Sequence, residues 1–156
     1  MRLILASASP RRADLLRAAA IDFEVLQAVV DESPRAGESP VEYVRRVAEA
    51  KARAIAARAP DRVVLAADTV VVVEGEILGK PKDAGDARRM LGLLSGRAHE
   101  VMTGVAVIGP LDGLRTKVAV TSVEFSSLTG NEIDWYVASG EPLDKAGAYA
   151  DRKSVV

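Results

Sequence analysis

The sequence contains no cysteine and a single histidine among its 156 residues. The absence of thiols excludes disulfides and thiolate metal centres, and one imidazole alone makes a poor metal site. The histidine, His99, precedes a predicted strand, and we expect it to have a structural role. The formal net charge of −1 at pH 7 argues against broad binding to nucleic acids or anionic membranes, because both require a strongly basic surface.

Long apolar runs are missing as well. The longest, residues 63–73, is interrupted by Asp68 and is too short to cross a membrane. The apolar stretch at the N-terminus is too short for a signal peptide, so a cytoplasmic location is expected. Neither a Walker A motif nor GxGxxG is present, which excludes the common phosphate loops. An anionic ligand would therefore have to bind a local cluster of basic residues.

What is present is the composition of one soluble globular domain, with 49% hydrophobic and 28% charged residues. Strands and helices alternate at first and a hairpin comes after them, which predicts an α/β domain with a mixed sheet. We predict strands over residues 2–6, 23–29, 63–73, 100–108 and 114–128. Helices are predicted over residues 10–20, 40–58, 83–94 and 130–140, and residues 141–149 have the character of a loop. Capping boxes that start at Ser39 and Thr129 mark the second and fourth helices.

The segment SASPRR joins the first predicted strand to the first predicted helix. It brings the hydroxyls of Ser7 and Ser9 to a helix N-terminus, where free N–H groups and the helix dipole favour an anion. Ser9 is in place to cap the helix. Arg11 and Arg12 lie in the first turn, where a cation opposes the dipole and costs a few tenths of a kcal/mol. The segment is either a phosphate site or two solvated arginines beside an ordinary serine cap.

Asp68 is the sharpest signal in the sequence. It lies within VVLAADTVVVV, a run that predicts a central strand buried on both faces. A carboxylate there must be paired, bound to a metal or held neutral, because an isolated buried charge is costly. A structural arginine partner or a place at the strand end would also explain it. Perturbed carboxylates cluster in active sites, so we favour a functional role.

Lys51 lies on the apolar face of the second predicted helix, whereas the arginines at positions 45, 46 and 53 fall on the other side and are predicted to point to water. The apolar stripe consists of Val41, Val44, Ala48 and Ile55. One interpretation is a functional lysine that points inward. The other is a lysine whose stem runs along the edge of the core while its charge reaches water.

Further charged residues come after predicted strands. Glu32 or Asp31, in VVDES, could join Asp68 around a divalent cation, because Mg²⁺ prefers a few carboxylate oxygens together with water and phosphate oxygens. A solvated acidic loop is the simpler alternative. Lys80 and Lys82, in GKPKD, are either a second phosphate contact or a polar turn.

Taken together, these segments resemble the Maf-like nucleoside triphosphate pyrophosphatases. The shared motifs run in the family's order from Leu3 to Tyr149: SASPRR, VDE, EAKA, AADTVV, GKP, LSGRAHEVMTGV and EPLDKAGAY. The resemblance implies a mixed, twisted α/β sheet with flanking helices and two lobes around a central cleft, as in inosine triphosphatase-like proteins. It also implies a homodimer, and the net charge predicts no stable nucleic-acid or membrane partner. The implied reaction is the hydrolysis of a nucleoside triphosphate to the monophosphate and pyrophosphate with a divalent cation, Mg²⁺ or Mn²⁺.

The resemblance also implies roles for individual residues. Asp68 matches the family's proton acceptor and, with Glu32, would hold the metal, which selects Glu32 over Asp31. The residues that match substrate or phosphate contacts are Ser7, Arg11, Arg12, Lys51, Thr69 and Lys80.

Two positions resemble the subgroup that acts on dTTP and UTP. The sister subgroup, which acts on 7-methyl-GTP, tends to carry an aromatic residue in place of Arg11 and a glutamine in place of Thr69. The alternatives are a 7-methyl-GTP pyrophosphatase, a phosphatase that releases single phosphates, and a non-catalytic nucleotide-binding regulator of cell division. Residues 1–156 are expected to form a single domain that lacks part of the family's usual C-terminal segment, because ADRKSVV does not resemble the Gly- and Gln-containing segment that the family carries after AGAY.

Overall fold

The structure is a computed structural model that describes residues 2–150. Its strands are β1 Leu3–Leu5, β2 Phe23–Val25, β3 Val64–Val73, β4 Glu76–Leu78, β5 Ala98–Gly109 and β6 Gly113–Glu124. Its helices are α1 Pro10–Ala18, α2 Pro40–Ala56, α3 Ala84–Leu94 and α4 Gly130–Ala138, and short 3₁₀ turns come after them at Glu141–Asp144 and Ala146–Ala148. The expectation of a shortened C-terminal segment falls on residues 151–156, outside the described part of the chain.

The six strands form one mixed sheet in the order β2-β1-β3-β5-β6, with β4 paired to β3. β1 is parallel to both β2 and β3, whereas β3 and β4 are antiparallel across a tight hairpin. This confirms the α/β class with a mixed sheet. No helix among residues 2–150 is long and apolar enough to cross a membrane.

The chain divides into two compact units, and β3, β5 and β6 contribute to both. The first unit contains the chain up to Asp68 together with Thr103–Ala119. Its core packs the buried face of α2 onto β1, β3 and β5. The core residues are Ile4, Ala6, Ala48, Ala52, Ile55, Val64, Ala66 and Ala106.

Helix α2 lies unusually close to β5 in this first unit. Gly104 permits the approach, because a Cβ atom at this position would lie 2.3 Å from the backbone oxygen of Val44. The capping box predicted at Ser39 is present and fixes the start of the helix.

The second unit contains Thr69–Met102 and the chain from Val120 onward. Its core packs α3 and α4 against the hairpin of β3 and β4. The core residues are Val71, Val73, Leu78, Ala87, Met90, Leu91, Leu94, Val137 and Ala148. The capping box at Thr129 is present, as predicted.

Several local predictions were wrong, and one of them is the end of β6, which lies at Glu124 rather than at residue 128. β2 ends at Val25 rather than Val29, because its partner β1 offers only three residues for pairing. Ser9 occupies the N-cap position of α1, but its side chain makes no capping hydrogen bond. The segment 141–149 is not wholly irregular, since it contains the two 3₁₀ turns.

Candidate active site

Asp68 lies in the middle of β3 and is 7% exposed. Successive side chains of a strand alternate between faces, so Asp68 shares a face with Val64 and Ala66, which belong to the core under α2. Lys51 stands beside Ala48 and Ala52 on the buried face of α2. The packing of α2 on β3 therefore brings Lys51 and Asp68 together.

Lys51 joins two carboxylates. Its Nζ lies 3.0 Å from Oδ1 of Asp68, to which it donates a hydrogen bond, and 3.0 Å from Oε1 of Glu32. The Lys51 and Asp68 side chains are 12% and 10% exposed, whereas that of Glu32 is 51% exposed. Of the two interpretations of Lys51, the structure supports the inward one. Lys51 and Asp68 thus form a buried ion pair, and the carboxylate of Glu32 contacts this pair from the solvent side.

Burial shifts the pKa values of two charged residues at this site. Loss of hydration raises the pKa of Asp68, and the nearby Lys51 and Arg12 only partly oppose this effect. Burial lowers the pKa of Arg12, and the negative charge of Asp68 acts in the other direction. A guanidinium stays charged in proteins, so the site retains the cation of Arg12 near a carboxylate whose pKa is raised.

The segment SASPRR is organised around Arg12. Nη1 of Arg12 donates to the hydroxyl of Ser7 and to the carbonyl of Ala67, both at 2.9 Å. Ser7 is 7% exposed and also accepts from the backbone N–H of Ser9 at 3.2 Å. Ala67 directly precedes Asp68 in β3, so the hydrogen bond from Arg12 connects the start of α1 to the strand that contains Asp68. Arg11 is exposed in the first turn of α1.

Two residues of the site were not identified from the sequence. The hydroxyl of Tyr43 donates to the carbonyl of Glu32 at 2.8 Å. Arg46 donates to the carbonyl of Ser33 at 3.0 Å and pairs with Glu38, so the prediction that Arg46 points away into water was wrong. The signal in the sequence for Tyr43 is its spacing, because Tyr43 and Lys51 are eight residues apart on one helix.

The donor set fits a hard divalent cation of the magnesium type. The carboxylates of Glu32 and Asp68 both contact the single ammonium group of Lys51, so the two side chains already surround one cationic group. Within residues 2–150 no three or more His, Asp or Glu side chains cluster as a metal site. Two carboxylates suit a metal that keeps several waters and takes further oxygens from a phosphate chain.

The remaining predicted residues belong to the second unit or lie apart from this group. Thr69 is the next residue of β3 after Asp68 and is half-buried, with its side chain on the opposite face. Lys80 is exposed two residues after β4. Asp31 accepts a hydrogen bond from the backbone N–H of Ser33 at 2.9 Å and thereby shapes the loop.

His99 makes the contacts of a structural residue. It is 3% exposed, its ring packs edge-on against Phe125 and Tyr149, and Nε2 forms a 2.5 Å hydrogen bond with the Tyr149 hydroxyl. Burial lowers the pKa of His99.

Known proteins are similar in sequence to this chain over nearly its whole length. The sequence model of the Maf-like protein family matches residues 2–155. The dTTP/UTP pyrophosphatase of Syntrophus aciditrophicus is 53% identical over 150 residues, which cover 96% of this chain and 73% of that protein. The protein of the same name from Anaeromyxobacter dehalogenans is 55% identical over 152 residues, which cover 96% of this chain and 76% of that protein.

Solved structures share the fold. The Ham1 protein of Staphylococcus aureus aligns with a TM-score of 0.59 at 17% identity, covering 98% of this chain and 88% of that one. A HAM1 protein from Coxiella burnetii aligns with a TM-score of 0.53 at 16% identity and the same coverage. The family match spans the motifs around Arg12, Lys51 and Asp68, and the chain belongs to the Maf-like protein family.

Proposed function

We propose that this protein hydrolyses dTTP and UTP to the monophosphate and pyrophosphate, with Asp68 as the general base. The observation that carries the proposal is the buried ion pair of Asp68 and Lys51, joined by Glu32 and placed near Arg12. Relatives at 53–55% identity that bear the name dTTP/UTP pyrophosphatase supply the substrate class.

The phosphate chain would bind to the cations of the first unit. A triphosphate carries about four negative charges near neutral pH, which charge-assisted hydrogen bonds and a helix N-terminus can offset. Lys51 would supply a buried charge, Arg12 a partly buried one and Arg11 an exposed one, beside the N–H groups at the start of α1. Ser7 would hold the guanidinium of Arg12 in place. Thr69 and Lys80 are proposed as further substrate contacts on the strength of their motifs alone.

The proposed cofactor is Mg²⁺ or Mn²⁺, held by Glu32 and Asp68. When bound, a divalent cation supplies positive charge to phosphate oxygens and makes a nearby water easier to deprotonate. Lys51 would give up part of its contact with the two carboxylates to such a cation. The freed ammonium then has the phosphate chain as its alternative partner.

Asp68 would take a proton from the water that attacks the α-phosphorus. The new P–O bond forms to the water oxygen, the bond to the bridging oxygen breaks, and pyrophosphate leaves with that oxygen. Without a bound metal, burial raises the pKa of Asp68, which makes its carboxylate a stronger base.

A panel of nucleotides with Mg²⁺ tests the proposal. We expect dTTP and UTP to yield monophosphate and pyrophosphate in equal amounts, and we expect Asp68→Asn to lower kcat at least about 100-fold, as for loss of a general base. Asp134→Asn, at an exposed aspartate paired with Arg88, is the matched control and should keep full activity. Stepwise release of single phosphates, a preference for 7-methyl-GTP, or nucleotide binding without turnover would each contradict the proposal.

Two further elements of the proposal come from the sequence alone. They are a homodimeric state, which sedimentation of the purified protein tests, and action in the cytoplasm, which fractionation of the producing cells tests.

A further inference from the structure

We infer that Tyr43 and Arg46 are positioning residues that fix the backbone of Glu32 on α2 and so keep its carboxylate in the candidate site. The inference rests on the proposed metal role of Glu32. Glu32 needs such support because it belongs to an irregular segment between β2 and α2, and its side chain is half-exposed. A metal ligand on an unsupported loop would lose affinity to the cost of ordering that loop.

Two consecutive carbonyls of the loop are held from one face of α2. Tyr43 donates to the carbonyl of Glu32 at 2.8 Å, and Nη2 of Arg46 donates to the carbonyl of Ser33 at 3.0 Å. Lys51, two turns further along the same helix, binds the carboxylate of Glu32. Helix α2 therefore contacts Glu32 through both its backbone carbonyl and its carboxylate.

Arg46 is itself fixed from two sides. Its Nε and Nη2 reach the two carboxylate oxygens of Glu38 at 2.5 and 2.8 Å, and its guanidinium lies 5.5 Å from the centroid of the Tyr43 ring. The hydrogen bonds from Arg46 lower the pKa of Glu38 to about 2, so this fork keeps both charges at any physiological pH. Glu38 also accepts from the backbone N–H of Arg35 at 3.1 Å, which closes the loop on itself.

Tyr43 is well placed for more than packing. It is 7% exposed, and burial together with the charges of Asp68 and Glu32 raises the pKa of its hydroxyl to about 12. The hydroxyl thus remains a donor throughout the working pH range. The charges of both proposed metal ligands act on this hydroxyl, and because the hydroxyl is uncharged it does not cancel the charge of either carboxylate.

The test uses Tyr43→Phe, which removes only the hydroxyl, and Arg46→Gln, which removes the fork. Arg62→Gln is a matched control in the same unit, because Arg62 also donates to a backbone carbonyl, that of Arg2, and pairs with a glutamate, Glu24. Arg46→Lys, which keeps the charge and loses the planar fork, should give an intermediate result.

Three readouts separate positioning from simple stability. Mn²⁺ binding measured by electron paramagnetic resonance without nucleotide should weaken about fivefold in Tyr43→Phe, the equivalent of one hydrogen bond. Trypsin should cut the folded protein faster after the exposed Arg35, because the loop opens more often. In turnover assays the metal concentration for half-maximal rate should rise by the same factor, with kcat at saturating metal retained.

Weaker Mn²⁺ binding and faster cleavage in Tyr43→Phe and Arg46→Gln, with neither change in Arg62→Gln, support the inference. Unchanged Mn²⁺ affinity in Tyr43→Phe would overturn it, as would equal changes in Arg62→Gln. A failure of the proposed function is seen separately, as absent triphosphate turnover in the wild-type protein, and the binding and cleavage measurements remain decisive in that case.

Discussion

Replacing Lys51 by methionine removes the charge that holds Asp68 and Glu32 together while keeping most of the side-chain volume. Glu32 is half-exposed and can return to water, whereas Asp68 is buried and loses its nearest cation. The energetic cost therefore falls on Asp68.

The magnitude depends on the options open to that carboxylate. Removing one partner of a buried ion pair costs about 3–5 kcal/mol. Asp68 can instead become protonated, which costs about 4 kcal/mol at pH 7 for an ordinary aspartate and so limits the loss. The already raised pKa of Asp68 lowers this limit, and the buried methionine returns about 1 kcal/mol. We expect a net loss of about 2–3 kcal/mol at pH 7, or a Tm decrease of about 5–10 °C for a chain of this size.

The loss should depend on pH in a definite direction. Without Lys51 the pKa of folded Asp68 rises further above its unfolded value, so the native state binds a proton that the unfolded state releases. This contribution favours folding at low pH and is lost as pH rises through the folded pKa. The deficit of Lys51→Met relative to wild type should therefore shrink to within about 1 kcal/mol at pH 5.

Urea unfolding of both proteins at pH 5 and pH 8 measures this difference, and subtracting the wild type removes the contribution of other titrating groups. Lys117→Met, at an exposed lysine of β6, is the control and should stay within about 0.5 kcal/mol of wild type at both pH values. An equal deficit at the two pH values, or a stabilised variant at pH 8, would refute the reasoning that Lys51 is the counter-charge of a buried Asp68.

Two further changes test the packing of each unit. Gly104→Ala should destabilise by at least about 3 kcal/mol in chemical denaturation, because the new methyl meets the backbone of Val44 and cannot be accommodated by rotating a side chain. Gly92→Ala, in α3 with open space around it, should instead stabilise by about 0.5–1 kcal/mol. Because burial lowers the pKa of His99, the unfolded state binds its proton more readily, and Tm should fall as pH decreases from about 7 to 5. His99→Gln should reduce this decrease of Tm, and an unchanged dependence of Tm on pH would mean that carboxylates cause it.

The fold was predictable where local chemistry and burial agree. The apolar run around Asp68 predicts a central strand, and the capping boxes at Ser39 and Thr129 mark helices that the structure contains. The length of β2 was not predictable, because it depends on how many residues β1 offers as a partner. Ser9 does not cap α1 with its hydroxyl, whereas its backbone N–H donates to the hydroxyl of Ser7.

The charged residues of the candidate site could be predicted more readily than their contacts. A carboxylate in a buried strand and a lysine on an apolar helix face each point inward, and the structure pairs them. The bond from Arg12 to the carbonyl of Ala67 spans 55 positions, and the bond from Tyr43 to the carbonyl of Glu32 ends on a backbone atom. Backbone carbonyls are present at every residue, so no pattern of side chains identifies which one accepts.

Hydrolysis of dTTP in ¹⁸O-labelled water is the most direct test of the central claim that Asp68 directs water to the α-phosphorus. The account predicts that one labelled oxygen appears in dTMP and none in pyrophosphate when the products are analysed by mass spectrometry. It also predicts that Asp68→Asn releases neither product at a comparable rate. Label in pyrophosphate would place the attack on the β-phosphorus, and labelled inorganic phosphate would place it on the γ-phosphorus; either result would contradict the account.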